Sequence, residues 1–152
     1  MPNYLVYSDG SCSTHGVKAG GWAAVILKDD KLRKIVHGGE TNTTIGVQEM
    51  RAIIEALEYI RSVENVHEIC VEVFCDRQDV VYSAIGKYQR KSNKEEWRRF
   101  DRASKDMDLT VTHIPRNSIP EQELTDSISG QIREKLEQNP GLSPIHYSNT
   151  KP

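Results

Sequence analysis

Four acidic residues stand where a sheet and its helices would gather them. Asp9 follows the apolar stretch Tyr4-Leu5-Val6-Tyr7-Ser8, and Asp76 follows a second apolar stretch, 69–75. Both therefore fall at the C-terminal ends of expected strands, where open α/β sheets commonly hold ligands. Glu49 precedes Met50 by one residue and Ile53 by four, at the margin of the face that an amphipathic helix turns towards a sheet. Asp126 lies between Leu124 and Ile128, early in the last expected helix. Carboxylates gathered at one sheet edge repel strongly in low-dielectric surroundings unless cations hold them, and donors that are all oxygen suit Mg²⁺, with Mn²⁺ as a substitute. Two such ions about 4 Å apart can activate a water and stabilise the leaving oxygen of an in-line displacement at phosphorus. Singly, each acid has a plainer reading as a turn residue, a helix-dipole partner or a solvated side chain. The chemistry depends on all four arriving in the right elements.

Those elements follow from hydrophobic patterning. Residues 4–8 read as a strand buried on both sides, which Asp9-Gly10-Ser11 ends. Gly20-Gly21 introduces a second strand through Trp22 to Leu27. Asp29-Asp30-Lys31 turns it into an antiparallel third through Ile35-Val36-His37, and Gly38-Gly39 closes that meander. Met50, Ile53, Ile54, Leu57 and Ile60 follow the three-and-four spacing of an amphipathic helix. Residues 69–75 predict a central strand, Gln78 to about Ile85 a short helix, Lys94 to Lys105 a basic helix striped by Trp97, Phe100 and Ala103, and Leu109 to Ile114 a last strand. Leu124, Ile128, Ile132 and Leu136 predict one apolar ridge on the final helix. The order β-β-β-α-β-α-α-β-α implies a mixed sheet covered by helices. One domain is expected over 1–138, with 139–152 as a flexible C-terminal tail.

With 152 residues, 37% hydrophobic and 28% charged, the chain has the composition of a soluble globular protein. No apolar run approaches the ~20 residues that span a bilayer. The start lacks the basic region of a signal peptide, so a cytoplasmic location is expected, with no membrane partner. Cys12, Cys70 and Cys75 form neither an even disulfide set nor a CxxC pair and are expected as free thiols, two of them buried in a strand. Net charge is −2, yet the stretch Lys87 to Lys105 holds eight Lys/Arg against three acids.

Tyr7-Ser8-Asp9-Gly10-Ser11-Cys12, Gly20-Gly21-Trp22-Ala23, Gln48-Glu49-Met50 before Ala52 to Leu57, and Phe74-Cys75-Asp76-Arg77-Gln78 occur in that order. This ordered set resembles the successive motifs of ribonuclease H type 1, over approximately Tyr4 to Leu136. The resemblance implies an α/β fold of the ribonuclease H-like kind, a five-stranded mixed sheet with three antiparallel strands followed by parallel ones, flanked by helices. It also implies endonucleolytic hydrolysis of the RNA strand of an RNA/DNA hybrid. Carried over, Asp9, Glu49, Asp76 and Asp126 become the ligands of two Mg²⁺ ions, and Gln78 resembles the family's minor-groove contact. The commoner members carry a His in the loop before the last helix. Here Arg116 or Asn117 takes that place, depending on a one-residue gap. The string His113-Ile114-Pro115-Arg116 is similar to the archaeal and plant-like branch, in which that His is not required. Thr43-Thr44-Ile45-Gly46 matches the segment whose polar side chains touch RNA 2′-OH groups, with Ile and Gly where Asn is usual; lost contacts there would relax the choice towards double-stranded RNA.

Lys87, Arg90 and Lys91 open the basic segment, in the region where some members grip the DNA strand, and phosphate contacts there would add salt-sensitive affinity. The plainer reading is a solvated helix with Glu95 and Glu96 paired to Arg98 and Arg99. Ser11 and Cys12 could touch the phosphate backbone beside the acids or serve only the loop. A monomer is the default. The main alternative is an inactive module of the same fold that binds nucleic acid.

Overall fold

The computed structural model describes residues 1–116 and 118–148, apart from the side chains of 147 and 148. Six strands form one mixed sheet: β1 (Asn3–Cys12), β2 (Gly20–Lys28), β3 (Lys31–Glu40), β4 (Cys70–Cys75), β5 (Asp108–His113) and β6 (Ile145–Ser148), in the spatial order β5-β4-β1-β2-β3-β6. The helices are α1 (Ile45–Val63), α2 (Gln78–Ala84), α3 (Lys94–Ser104) and α4 (Pro120–Gln138). Asp29 and Asp30, with φ of 50° and 66°, make the tight turn between β2 and β3 that the right-handed twist of a hairpin favours. No helix among the described residues is long and apolar enough to cross a membrane.

The two faces of the sheet carry different helices. α1 and α3 cover one face over a core that includes Tyr4, Val6, Ile26, Ile53, Leu57 and Val73, with Trp97 and Phe100 buried in it. α4 crosses β1, β2 and β3 on the other. Gly21 allows the second approach: a Cβ there would strike the Ser129 carbonyl oxygen of α4. Small residues on both sides bring helix and sheet backbones together.

This close crossing overturns the single apolar ridge expected on α4. Leu124 is 43% exposed, and the buried side chains are Gln122, Thr125 and Ser129, followed by Ile132 and Leu136. A Leu at the crossing would hold the helix off the glycine-lined strands, whereas the donors of the buried polar side chains reach backbone carbonyls, with Gln122 Oε1 left without a partner. Gln122 Nε2 donates to Ser8 O at 3.0 Å, and Thr125 Oγ1 donates to Gln122 O at 2.8 Å. Gly38 and Gly39 likewise do not close the meander; they lie inside β3, where Gly39 faces Ile132 and Leu136 of α4.

The sixth strand departs from the five expected and from the expected flexible tail. Pro140–Leu142 form a 3-10 turn, and Ile145–Ser148 pairs antiparallel with β3, Ile145 opposite Gly39 and Ser148 opposite Val36. Ile145 is buried with Ala19, Ile132 and Leu136, while His146, on the other face, reaches Glu55 of α1 at 2.9 Å. One anchoring Ile after a proline-rich stretch is too little pattern to announce a strand; the free edge of β3 supplies the rest. Residues 149–152 of the expected tail lie outside the described residues. Deleting 139–152 is expected to lower stability by about 2 kcal/mol, the burial of one Ile. An unchanged urea midpoint in the truncated chain would show that the strand adds nothing.

Candidate active site

Parallel pairing decides where the acids meet. β1 and β4 run side by side in a register that ends with Ser8 opposite Cys75, so Asp9 and Asp76 are the next residues of adjacent chains at one edge. β1 does not stop at Asp9 as expected; it continues to Cys12, opposite Gly20 of β2, which fixes Asp9 inside a strand. The Thr44 hydroxyl accepts from Val47 N at 3.3 Å and caps α1, whose second turn brings Glu49 over Gly10. Gln48 is fully buried beside it, its Nε2 donating to Thr43 Oγ1 at 2.9 Å. Asp126 reaches the same edge from α4, because Thr125 turns inward and leaves its neighbour at the rim.

The four acids converge. Asp9 is 3% exposed, and Asp76, Asp126 and Glu49 all lie close enough to shift its carboxyl. Gly10 N donates to Asp9 Oδ1 at 2.9 Å, while Asp9 Oδ2 is buried without a hydrogen-bond partner. Burial, then the Asp76 charge and the nearby Asp126, push the Asp9 carboxyl up to about 8. Glu49 is raised strongly, by burial and then by Asp9 and Asp76. Asp76 is raised by burial, against the pull of Arg116. A buried carboxylate oxygen without a donor, among gathered carboxylates, fits a hard divalent cation.

Asp9, Glu49 and Asp76 line a cavity of about 330 Å³ together with Arg77, Arg116 and Arg133, and Asp126 stands outside that lining. Arg116 Nη2 lies 3.4 Å from Asp126 Oδ1. Arg133 Nη1 donates to Ser11 Oγ at 3.0 Å, with Glu134 and Glu137 each 3.5 Å away on its outer side. Cys12 also lines the cavity, and a second hollow of about 470 Å³ shares Cys12 and Ile45 with it and extends past Thr44. Arg77, Arg133 and Ile45 carried no expected role. Arg133 had a readable signal, since it follows Asp126 by seven residues, two turns along one helical face.

The other expected contacts lie elsewhere. Gln78 is exposed at the start of α2 and does not line the cavity. Lys87 and Lys91 are exposed, with Lys87 Nζ 4.4 Å from the Tyr82 ring centroid. Arg90 is committed to the protein: it stacks 4.3 Å from the Trp97 ring centroid, bonds both Asp101 oxygens at 2.9 Å and donates to Ser83 O. Of the charge pairs expected in α3, Arg98 meets Glu95, but Arg99 crosses to Glu55 and Glu58 of α1. His113, at the end of β5, lies 3.2 Å from Asp76 O through Nε2. Asn117 lies outside the described residues. All three cysteines are free thiols, Cys75 buried and Cys12 and Cys70 partly so.

Known proteins share both sequence and architecture with this chain. It is 34% identical over 110 residues to a ribonuclease H of Caldicellulosiruptor saccharolyticus, an alignment covering 66% of this chain and 70% of that protein. The crystal structure of LC11 RNase H1 in complex with an RNA/DNA hybrid superposes with a TM-score of 0.76 at 22% identity, over 88% of this chain and 99% of that one. The N-terminal RNase H domain of a Mycobacterium tuberculosis protein gives 0.75 at 15% identity, over 90% and 96% of the two chains. These likenesses establish the fold. The RNase H family model matches residues 1–126, a span that begins before the first of the converging acids and ends on the last of them, so the chain belongs to the ribonuclease H family.

Proposed function

We propose that the protein is an endoribonuclease that hydrolyses the RNA strand of RNA/DNA hybrids, with Asp9, Glu49, Asp76 and Asp126 holding two divalent cations, Mg²⁺ or Mn²⁺. The observation that carries this reading is the buried, unpartnered Asp9 Oδ2 among acids that burial keeps from ionising alone. Family membership supports the reaction, and the hybrid bound by LC11 RNase H1 supports the substrate. Two cations held by Asp9, Glu49, Asp76 and Asp126 would supply the positive charge that displacement at phosphorus needs.

The chain's own groups do the rest. Gly10 N–H and the buried walls orient the Asp9 carboxylate, and Arg116 draws Asp126 towards the rim. Arg133, braced by Ser11 Oγ, presents a guanidinium to the cavity and suits a non-bridging phosphate oxygen of the bound strand. Arg133→Ala is expected to raise KM about tenfold, the loss of one charge-assisted hydrogen bond, with a smaller change in kcat. It should also flatten the slope of log affinity against log salt by about 1. A salt slope equal to the wild type's would limit Arg133 to bracing Ser11.

A relaxed duplex choice is a second reading, favoured by the Thr44 hydroxyl being spent on the α1 cap and by apolar Ile45 lining the cavity. It predicts measurable cutting of double-stranded RNA. Both readings are tested by offering labelled RNA/DNA hybrid, double-stranded RNA, single-stranded RNA and duplex DNA with Mg²⁺ or Mn²⁺, to the wild type and to Asp76→Asn. Metal-dependent cutting of the hybrid's RNA strand, lost in the variant, is expected. Duplex binding with no cutting under either metal would overturn the catalytic assignment in favour of a binding module.

A further inference from the structure

Cys75 ends β4 with its thiol fully buried, just behind the acids. Its Sγ lies 3.9 Å from Glu49 Oε2, and ligand atoms of Glu49, Cys75 and Asp76 all fall within 4.8 Å of one another. A hard cation such as Mg²⁺ takes oxygen donors and makes no use of that sulfur. Borderline-soft cations do use it. Zinc bonds sulfur at about 2.3 Å and carboxylate oxygen at about 2.0–2.2 Å, so neighbouring donors of a tetrahedral site stand ~3.5 Å apart. The Sγ to Oε2 separation is a few tenths of an ångström wider, within reach of a small side-chain rotation. A separate observation also points to a cation: Asp9 Oδ2, on a buried residue beside Glu49, has no hydrogen-bond partner.

We propose that Glu49, Cys75 and Asp76 form a second cation site, selective for thiophilic divalent ions such as Zn²⁺ or Cd²⁺, which overlaps the Mg²⁺ site and inhibits the enzyme when filled. The metal–sulfur bond replaces the S–H bond, the proton leaves to solvent, and no redox change is involved. Two carboxylates and a thiolate more than neutralise the bound ion. An ion drawn towards Sγ sits deeper than a hard ion would and takes Glu49 and Asp76 with it, so those carboxylates are no longer free to hold Mg²⁺. The inhibition rests on the proposed nuclease reading; the binding does not.

Cys75 also fills the core between β4 and α1, a role that serine or alanine meets only in part, and the test separates the two roles. The metal-free full-length chain is titrated with Cd²⁺ while the ultraviolet sulfur-to-cadmium charge-transfer band is recorded, for wild type, Cys75→Ser, Cys12→Ser and Cys70→Ser. One saturable band per chain is expected, absent in Cys75→Ser and retained in the other two. In hybrid cleavage with Mg²⁺, Cys75→Ser, measured against its own rate without Zn²⁺, should need at least ~10-fold more Zn²⁺ for half-inhibition than the wild type does. Cys75→Ala replaces the serine variant if circular dichroism finds the latter unfolded. A band that persists without Cys75, or equal Zn²⁺ inhibition of variant and wild type, overturns the proposal. A Cys75-dependent band in a protein that cuts no substrate would leave the cation site standing and remove the nuclease reading.

Discussion

Asp9→Asn is expected to lower hybrid cleavage on the order of 10³-fold or more while making the metal-free protein more stable. The rate loss follows from removing a carboxylate at the centre of the cluster, since the charge stabilisation it helps to organise is worth several kcal/mol. The stability gain has the opposite root. Asp9 is raised from an ordinary 3.8 to about 8, first by burial and then by Asp76 and Asp126. Between those values the folded chain retains a proton that the unfolded chain has released, so stability falls as pH rises through that window. Glu49, raised in the same direction, steepens the fall. Asn carries no charge to bury, and Asp9→Asn should gain on the order of 2 kcal/mol at pH 8 and little at pH 4. Added Mg²⁺ should raise the wild-type melting temperature more at pH 8 than at pH 5, because it binds only ionised carboxylates, and should raise the variant's less. Thermal melts with chelator and with Mg²⁺ at the two pH values decide the matter. A wild type whose metal-free melting temperature is flat across the window would mean that the acids are not frustrated as described.

Gly10→Ala should be nearly as damaging to activity without removing any functional group. A Cβ on residue 10 would lie 2.6 Å from Glu49 N and 2.8 Å from Gln48 C, both backbone atoms of α1 that cannot rotate away. α1 must retreat, and Glu49 retreats with it. Misplacement of a positioning group by about 1 Å can cost 10²-fold in rate, and that is the expected fall in kcat. Overpacking should cost about 1–3 kcal/mol in stability. Affinity for duplex should change little, because Arg133 and Ser11 stand on the side of the cavity held by α4. Steady-state kinetics with a urea melt measure both effects. Unaltered kcat in a destabilised variant would mean that Glu49 tolerates movement of α1.

Much of this site was legible because strongly periodic elements carry their acids at characteristic places. The apolar strands before Asp9 and Asp76, and the three-and-four spacing after Glu49, are local properties of the chain. Asp126 was legible for a different reason. The apolar ridge used to orient α4 was the wrong one, yet the residue itself falls at the rim because polar Thr125, not Leu124, faces the sheet. Hydrophobic periodicity fails where a helix crosses glycines, since small and polar side chains then pack better than large apolar ones. The basic segment shows the same limit: Arg90 pairs with Asp101, and Arg99, expected to pair within its own helix, pairs instead with Glu55 and Glu58 of α1, partners that only the fold brings within reach.

Taken by itself, the order of the residues determined the fold family and which acids the fold gathers at one edge, because these depend on residue type and on periods of two and 3.6. Tertiary structure alone decided that Asp9 Oδ2 lacks a donor, that Arg133 reaches the cavity through Ser11, that Cys75 stands behind Glu49, and that residues 145–148 complete the sheet. Each of these is a long-range contact, fixed by strand register and by how closely a helix can approach, and neither quantity is written in a local window of sequence.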